Sequence, residues 1–303
     1  VGVEMAQAFR RLGSEVTVIG SDDRLLTRDD RELSSLLEQS LAAEGIEFVL
    51  NSRVRQAQSV NGRITVKLDS GREMEGDALL ISVGRQVNAT ELNLAAAGVS
   101  FTEDGIGIDK RCRTSARNIY ACGDVTGKHQ FTHMAEHMGK VAVGNAILHL
   151  PYAIDERGVV WCTFTDPELA RVGASEQELI GKNVSYEVYR FPFSKIDRAI
   201  VEGETTGWIK VFATKLTGKI YGATILGAHA GEMIGEYALA LRNGVSLSKI
   251  SDTIHPYPTY VLGNRRAADQ WYIRKQTPGV VGWIRRLFGY RGSLPDKDPR
   301  RII

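Results

Sequence analysis

The chain has 303 residues, 43% of them hydrophobic, with 38 lysines and arginines against 36 aspartates and glutamates. That length and apolar content can bury real cores and suggest two or three domains. A formal charge of +2 argues against a nucleic-acid polyanion as main partner, and Cys112, Cys122 and Cys162 form neither a Cys-x-x-Cys pair nor a zinc spacing, as suits a reducing compartment.

The chain opens without an initiator methionine, on Val1-Gly-Val-Glu-Met-Ala. Ala6, Phe9 and Leu12 recur at helical spacing, Gly13 stops the helix, and Val16 to Ile19 reads as a strand. Gly2 fits the third glycine of a G-x-G-x-x-G dinucleotide fingerprint, whose first strand and other glycines would then lie upstream. The expectation is a carboxyl-terminal part of a longer protein, inactive alone. A charged helix over 30–45 and a strand over 46–50 follow, then a hairpin through Asn61-Gly62. Residues 77–85 read as a buried strand that ends at Gly84.

Asn118 to Gly127 reads as a strand ending in Gly123-Asp124, with Cys122 a small buried residue before the turn. A short acid at the carboxyl edge of a parallel sheet can accept hydrogen bonds from sugar or ribitol hydroxyls, although an Asp after Gly is also an ordinary turn former. A helix is expected over 133–149. From residue 158 the character changes, with strands over 159–164, 184–190, 208–213 and 220–226 and helices over 175–180 and 232–243, an α+β layer pattern. His133 and His137 share a helical face, but no carboxylate or cysteine completes a set with them and His129, so no metal site is expected. No apolar run reaches the ~18 residues of a membrane-spanning helix. Near the end, Val281, Ile284 and Phe288 with Arg285 and Arg286 make a basic amphipathic segment, suited to a membrane surface, a partner, or packing on its own dimer.

Gly2-Val-Glu4, Ile81 to Arg85, Ile119 to Asp124, Thr165 to Glu168 with Val172-Gly173, Gly222-Ala223 and Pro258-Thr259 follow one another in a familiar order. Over nearly its whole length the chain resembles the FAD-dependent pyridine nucleotide-disulfide oxidoreductases. The resemblance implies α/β nucleotide-binding (Rossmann-like) domains followed by an α+β dimerisation domain. These would be an NAD(P)-binding domain at 1–87, the second part of an FAD-binding domain at 88–150, and a dimerisation domain at 151–275. The last would make a homodimer through residues 158–272, with a basic tail at 276–303. It further implies FAD and NAD(P)H as cofactors. Asp124, after Gly123, resembles the acid that holds the ribityl chain. Thr132, His133, Met134 and Ala135 resemble the helix start whose N–H groups face the flavin ring and favour negative charge on it. Gly2, Gly20, Ser21, Gly84 and Arg85 are the other expected cofactor contacts, and Glu4 resembles the acid beside the nicotinamide.

Members acting on lipoamide or glutathione carry a His-Pro-Thr whose histidine is the acid/base for thiol chemistry, with a glutamate three residues after the threonine. Here Thr253-Ile-His-Pro-Tyr-Pro-Thr-Tyr-Val-Leu262 puts Tyr257 at the histidine, Leu262 at the glutamate and His255 two residues early. A phenol with a reference pKa of ~10 shuttles protons less well near neutrality than an imidazole at ~6.5. A tyrosine there is similar to mercuric reductases, as are Gly203 to Lys210 and Ala230 to Ile234, so Tyr257 joins Glu4 as a candidate catalytic residue. The acceptor implied is a disulfide or metal ion. The last residues hold no vicinal cysteine pair to hand a soft metal inward. Dihydrolipoamide dehydrogenase, and a dinucleotide-binding regulatory subunit without catalysis, are the alternatives; for Tyr257 the alternative is a packed interface residue. Gly20 stands where an acid would chelate the ribose 2′-OH, and Ser21, Arg24 and Arg28 follow, which leaves the nicotinamide cofactor as NAD(P). The family's redox-active cysteine pair would lie upstream. A cytoplasmic location is expected, with membrane association through an upstream part left open.

Overall fold

The computed structural model describes residues 1–289 and 291–292. The chain forms two compact units, one from Val1–Ile81 together with the chain from Val160 onward, the other from Ser82–Val159. The expected nucleotide-binding and dimerisation segments thus share one unit.

In the first unit, α1 (Gly2–Arg11) carries Glu4 in its first turn and Arg10 and Arg11 in its last, as the helix dipole favours. β1 (Thr17–Ile19), α2 (Arg31–Ala43) and β2 (Glu47–Val49) follow; β1 and β2 pair in parallel, with α2 as the crossover. Asp30 caps α2 by accepting from the Leu33 N–H at 3.1 Å, and Leu33, Leu37 and Leu41 line its fully buried face. β3 (Val54–Val60), β4 (Arg63–Leu68) and β5 (Glu73–Gly76) make an antiparallel sheet. Its first turn holds Asn61 at φ 50° and Gly62 at φ 80°, the two left-handed positions that a tight hairpin requires.

The strand expected over 77–85 does not form. Leu79, Leu80, Ile81 and Val83 are exposed, Val83 at 93%. Among the described residues the parallel sheet has two strands, and neither lies beside this segment to take its backbone hydrogen bonds. An apolar run without a ladder partner stays irregular.

The second unit contains a short hairpin of β6 (Phe101–Thr102) and β7 (Gly105–Ile106), then α3 (Thr132–Ile147). Ala89, Leu94, Val99, Ile106 and Ala121 form a small core. The expected strand ending in Gly123-Asp124 is replaced by one isolated bridge, Arg113 to Tyr120, and a 3-10 turn over Asp124–Thr126. Positive φ at Cys112 (64°) and Gly123 (79°) turns the chain on either side, leaving room for a single bridge. Cys122 is exposed on this open segment rather than buried as expected.

Back in the first unit, the chain continues through β8 (Val160–Thr163), β9 (Glu168–Gly173), α4 (Glu176–Gly181), β10 (Glu187–Pro192), α5 (Asp197–Glu202), β11 (Trp208–Ala213) and β12 (Ile220–Gly227). α6 (Ala230–Asn243), α7 (Leu247–Asp252), α8 (Leu262–Lys275) and α9 (Pro278–Phe288) complete it. The strands form one antiparallel sheet in the order β10-β11-β12-β9-β8. Because successive residues face opposite sides, Ile209, Val211, Ala223 and Ile225 pack with Tyr237 of α6 and Trp271 of α8. Leu169, Leu226 and Trp208 pack instead with the leucines of α2. Both faces are therefore covered. Lys210 lies on the α2 side, its Nζ 2.6 Å from Asp30 Oδ2 and 3.1 Å from Glu32 Oε2. Residues 293–303 of the expected tail, and Tyr290, lie outside the described residues.

Candidate active site

The expected flavin contacts of the second unit gather around the start of α3. Gly123 has φ 79°, and a Cβ there would lie 3.0 Å from the Ala135 Cβ, so the turn can press against the first turn of α3 only without a side chain. Gly127 anchors the other end of the turn, since a Cβ there would come 1.6 Å from the Asp104 carbonyl oxygen. Between them Asp124 is held with its carboxylate in solvent. Arg85 Nη1 donates to the Gln130 carbonyl at 2.6 Å and lies 3.8 Å from Asp124 Oδ2. Gly84, at φ 140°, precedes Arg85 in open space.

Phe131, the residue at the amino end of α3, has no side chain able to cap it. Thr132 and His133 are exposed there, Ala135 is half-buried, Met134 turns into the core, and the His133 ring stacks on Phe131 at 5.3 Å. A helix start without a side-chain cap donates to acceptor oxygens, and a neighbouring carboxylate accepts from hydroxyls. A group with a carbonyl-bearing ring and a polyol chain fits that donor and acceptor set, and FAD is such a group.

In the first unit, Gly2 opens α1, and Glu4 Oε1 accepts from the Phe164 N–H at 2.7 Å. Burial pushes the Glu4 carboxyl up, and the hydrogen bond from the Phe164 N–H draws it down. Glu4 thus ties α1 to the chain leaving β8. Gly20 extends the ladder, donating to the Val49 carbonyl and accepting from Ser52 N–H, and Ser21 is exposed just beyond it. Arg24 turns inward: its guanidinium donates to the carbonyls of Leu26 at 3.1 Å and Thr27 at 2.6 Å and to Ser34 Oγ at 2.8 Å. Those bonds commit it to bracing the loop before α2, not to a ribose phosphate. Arg28 is exposed.

Around the Pro258-Thr259 motif the two aromatic candidates point in opposite directions. Tyr257 is 70% exposed. The His255 side chain is 5% exposed, with Nε2 2.9 Å from Glu236 Oε1 and Nδ1 3.0 Å from the Thr253 carbonyl. Asn264 Nδ2 donates to the other Glu236 oxygen at 2.9 Å and to the Met233 carbonyl. Both partners of the imidazole are acceptors, so both contacts are hydrogen bonds only when each ring nitrogen carries a proton.

Sequence reasoning missed the groove beside Thr259. A cavity of about 510 Å³ is lined there by Arg198, Glu202, His229, Thr259 and Tyr260, among others. Tyr260 donates to Glu202 Oε2 at 2.5 Å, and its ring meets His229 at 5.0 Å. Burial, then the Glu202 carboxylate, pushes the Tyr260 phenol up. Its position directly after Pro258-Thr259 was the only signal for it.

Residues 1–139 match the pyridine nucleotide-disulphide oxidoreductase family, and residues 159–265 match its dimerisation domain. The chain belongs to this family. It is 36% identical over 260 residues to the dihydrolipoyl dehydrogenase of Chlamydia trachomatis serovar D, covering 86% of this chain and 56% of that protein. It is 37% identical over 273 residues to the mercuric reductase of Lysinibacillus sphaericus, covering 88% and 50%. The chain therefore spans about half the length of the curated relatives it matches. Among solved structures, LpdA from Mycobacterium tuberculosis superposes with a TM-score of 0.84 at 28% identity, over 88% of this chain and 59% of that one. The Cu(II) complex of the HOCl-induced flavoprotein disulfide reductase RclA from Escherichia coli does so with 0.82 at 29%, over 88% and 61%. The family uses FAD and NAD(P)H, and its architecture is the expected one, Rossmann-like nucleotide-binding domains followed by an α+β dimerisation domain. The dimerisation-domain match supports a homodimer.

Proposed function

We propose that this chain belongs to a flavoprotein that passes a hydride from NAD(P)H to FAD and then electrons to a metal-ion or disulfide acceptor, with the metal ion preferred. The observation that carries the preference is the orientation of Tyr257 and His255. The imidazole is turned inward onto Glu236, and a solvent-facing phenol takes the place where thiol-reducing members present a histidine. A phenol can donate a hydrogen bond or face a metal ion, but it is a weak acid/base for thiols near neutral pH. The comparison with a mercuric reductase, and with a flavoprotein reductase whose Cu(II) complex is known, supports the same reading.

In this reading FAD, when bound, supplies the two-electron relay between nicotinamide and acceptor. Asp124 accepts from its polyol hydroxyls, the α3 start at Thr132 to Ala135 donates to its ring oxygens, and Gly123 keeps the turn close to α3. Gly2, Gly20 and Ser21 form the edge of the nicotinamide-nucleotide site, and Glu4 stands at the start of α1 beside it. Residues 158–272 form the homodimer interface. Dihydrolipoyl dehydrogenase is the second reading, favoured by the 36% identity to such an enzyme.

The test is an anaerobic titration of the full-length protein with NADH and with NADPH, followed by turnover with Cu(II), Hg(II) and lipoamide. Metal-ion turnover that falls about ten-fold or more in Tyr257→Phe, with negligible lipoamide turnover, is expected. Lipoamide turnover unaffected by Tyr257→Phe would establish the second reading, and a flavin that neither nicotinamide reduces would point to a binding subunit.

A further inference from the structure

The loop between β1 and α2 sets its charges in an order that suits one dinucleotide and not the other. Gly20 stays in the ladder, donating to the Val49 carbonyl at 3.0 Å and accepting from the Ser52 N–H at 2.9 Å. A Cβ there would come 3.1 Å from Leu50 Cδ2, so the position at which an acid would chelate a ribose has little room for one. Two residues on, the Asp22 carbonyl accepts from the Asn51 N–H at 2.9 Å, which pins the Asp22 backbone beside the end of β2. Asp22 and Asp23 are both exposed. Among the described residues the Asp22 carboxylate has no partner, while Asp23 Oδ2 lies 3.5 Å from Arg31 Nη2. The cation placed to answer a 2′-phosphate is turned away, since Arg24 donates to the Leu26 and Thr27 carbonyls and to Ser34 Oγ. Three side chains of the antiparallel sheet hold the rest of the loop. Trp161 Nε1 donates to Asp29 Oδ1 at 3.0 Å, Arg171 Nη1 donates to the Arg28 carbonyl, and Lys210 pairs with Asp30. Freeing Arg24 would break several hydrogen bonds in a loop fastened at its far end.

We propose that Asp22, with Asp23 beside it, is the specificity-determining acid of the nicotinamide-nucleotide site and selects NADH over NADPH. This rests on the flavoprotein reading above and names which nicotinamide that site takes. A carboxylate at the carboxyl end of a strand in a dinucleotide-binding unit accepts from ribose hydroxyls. The 2′-phosphate of NADPH instead brings negative charge against two acids, and it finds Arg24 engaged and Arg31 already opposite Asp23. The same residues therefore accept the right sugar and repel the wrong one. Arg28 is exposed and, among the described residues, makes no ion pair, so within the loop it is the cation that a preference for NADPH would have to use. The selection does not depend on the electron acceptor.

The test uses the full-length flavoprotein in its oxidised form, with NAD⁺ and NADP⁺ titrated by calorimetry and flavin reduction by NADH and by NADPH followed separately. NAD⁺ should bind at least about ten-fold more tightly than NADP⁺, and rising salt should narrow the gap by screening the repulsion. Asp22→Asn should weaken NAD⁺ and strengthen NADP⁺ until the two lie within about three-fold, and Asp22→Glu should keep most of the preference. Adding Asp23→Asn to Asp22→Asn, which frees Arg31, should tilt the balance toward NADP⁺. Arg28→Ala should leave both affinities within about two-fold. Equal or tighter binding of NADP⁺ by the wild type overturns the proposal, and a loss of that binding in Arg28→Ala would assign the 2′-phosphate to Arg28. An Asp22→Asn variant in which both dinucleotides weaken alike also overturns it, because a merely structural acid does not change the ratio. Should a variant misfold, the wild-type affinities and their salt dependence still decide the question. If neither dinucleotide binds and neither reduces the flavin, the flavoprotein reading itself falls, and the selection with it.

Discussion

Lys210→Met should be among the most damaging single changes to the first unit, and restoring neutrality opposite it should undo most of the damage. Lys210 and Asp30 are 2% and 4% exposed, with Nζ and Oδ2 2.6 Å apart. Their attraction at an effective dielectric of ~20 is about 6 kcal/mol, which roughly offsets the several kcal/mol per ion of removing both from water. The intact pair is therefore worth little beside an apolar pair of the same shape. Deleting one partner leaves the other charged in the core, which costs about 3–5 kcal/mol. Glu32 and Glu176 also face Lys210 but are 47% and 32% exposed, so water takes over their solvation and they add little. The lysine variant should melt about 6–20 °C lower, at roughly 2–4 °C per kcal/mol for a unit of this size. In the Lys210→Met/Asp30→Asn double variant the carboxylate is gone, yet Asn still caps α2 at the Leu33 N–H, so all but about 1–2 kcal/mol should return. Thermal and urea unfolding followed by tryptophan fluorescence reads both. A double variant as unstable as the sum of the singles would refute the reasoning, because it would mean that the pair holds the fold by something other than mutual neutralisation.

Gly123→Ala should cost about 1–3 kcal/mol through its positive φ and the 3.0 Å approach to Ala135, and should lower FAD retention in the full-length protein; unchanged FAD stoichiometry after gel filtration would count against the placement of the ribityl contact at this turn. Cys162 is pushed up to about 12, first by burial and then by Glu168, Glu4 and Asp29, and Cys112 up to about 11, first by burial. Raised thiol values mean protonated thiols near neutrality, so alkylation at about pH 7.5 should mark exposed Cys122 alone, with Cys162 gaining about ten-fold per pH unit and no plateau by about pH 10. Mass spectrometry that finds Cys162 labelled as fast as Cys122 would show its burial to be wrong. His255→Gln removes a hydrogen bond to Glu236 and should lower the melting temperature by about 2–8 °C, and His255→Ala by more; no change in either would mean that the inward pair holds nothing.

Local chemistry made much of this fold legible. The charged stretch over 30–45 was legible as the helix that forms α2, Asn61-Gly62 announced its hairpin, and 208–213 was legible as the strand that forms β11. β9 escaped because Arg171 breaks its apolar run; the structure buries that cation over the Trp161 ring at 4.4 Å, with the Arg28 carbonyl as acceptor. α8 escaped because the polar Asn264 and Gln270 share its buried face with Ala267, Ala268 and Trp271 and interrupt the apolar pattern. The 77–85 segment was over-read for the opposite reason, since composition reports what could be covered and not whether a neighbouring strand exists. In the site, Gly123-Asp124 and the start of α3 were visible as motifs. The inward turn of Arg24 and the His255–Glu236 pair, 19 residues apart, depend on tertiary packing that no local pattern encodes.

The same distinction bears on the chemistry. A histidine two residues from the motif position looks, in sequence, like a shifted acid/base that a small adjustment of the loop could bring into use. The structure makes that expensive: to serve as a shuttle, His255 would give up bonds to the Glu236 carboxylate and the Thr253 carbonyl, at about 1–3 kcal/mol for the charged partner alone, and leave a largely buried acid short of a partner. Tyr257, by contrast, already faces solvent, 70% exposed. On the proposed reading proton delivery at this position falls to Tyr257, and a phenol serves thiol exchange less well than an imidazole does, whereas electron transfer to a metal ion needs no thiolate leaving group protonated.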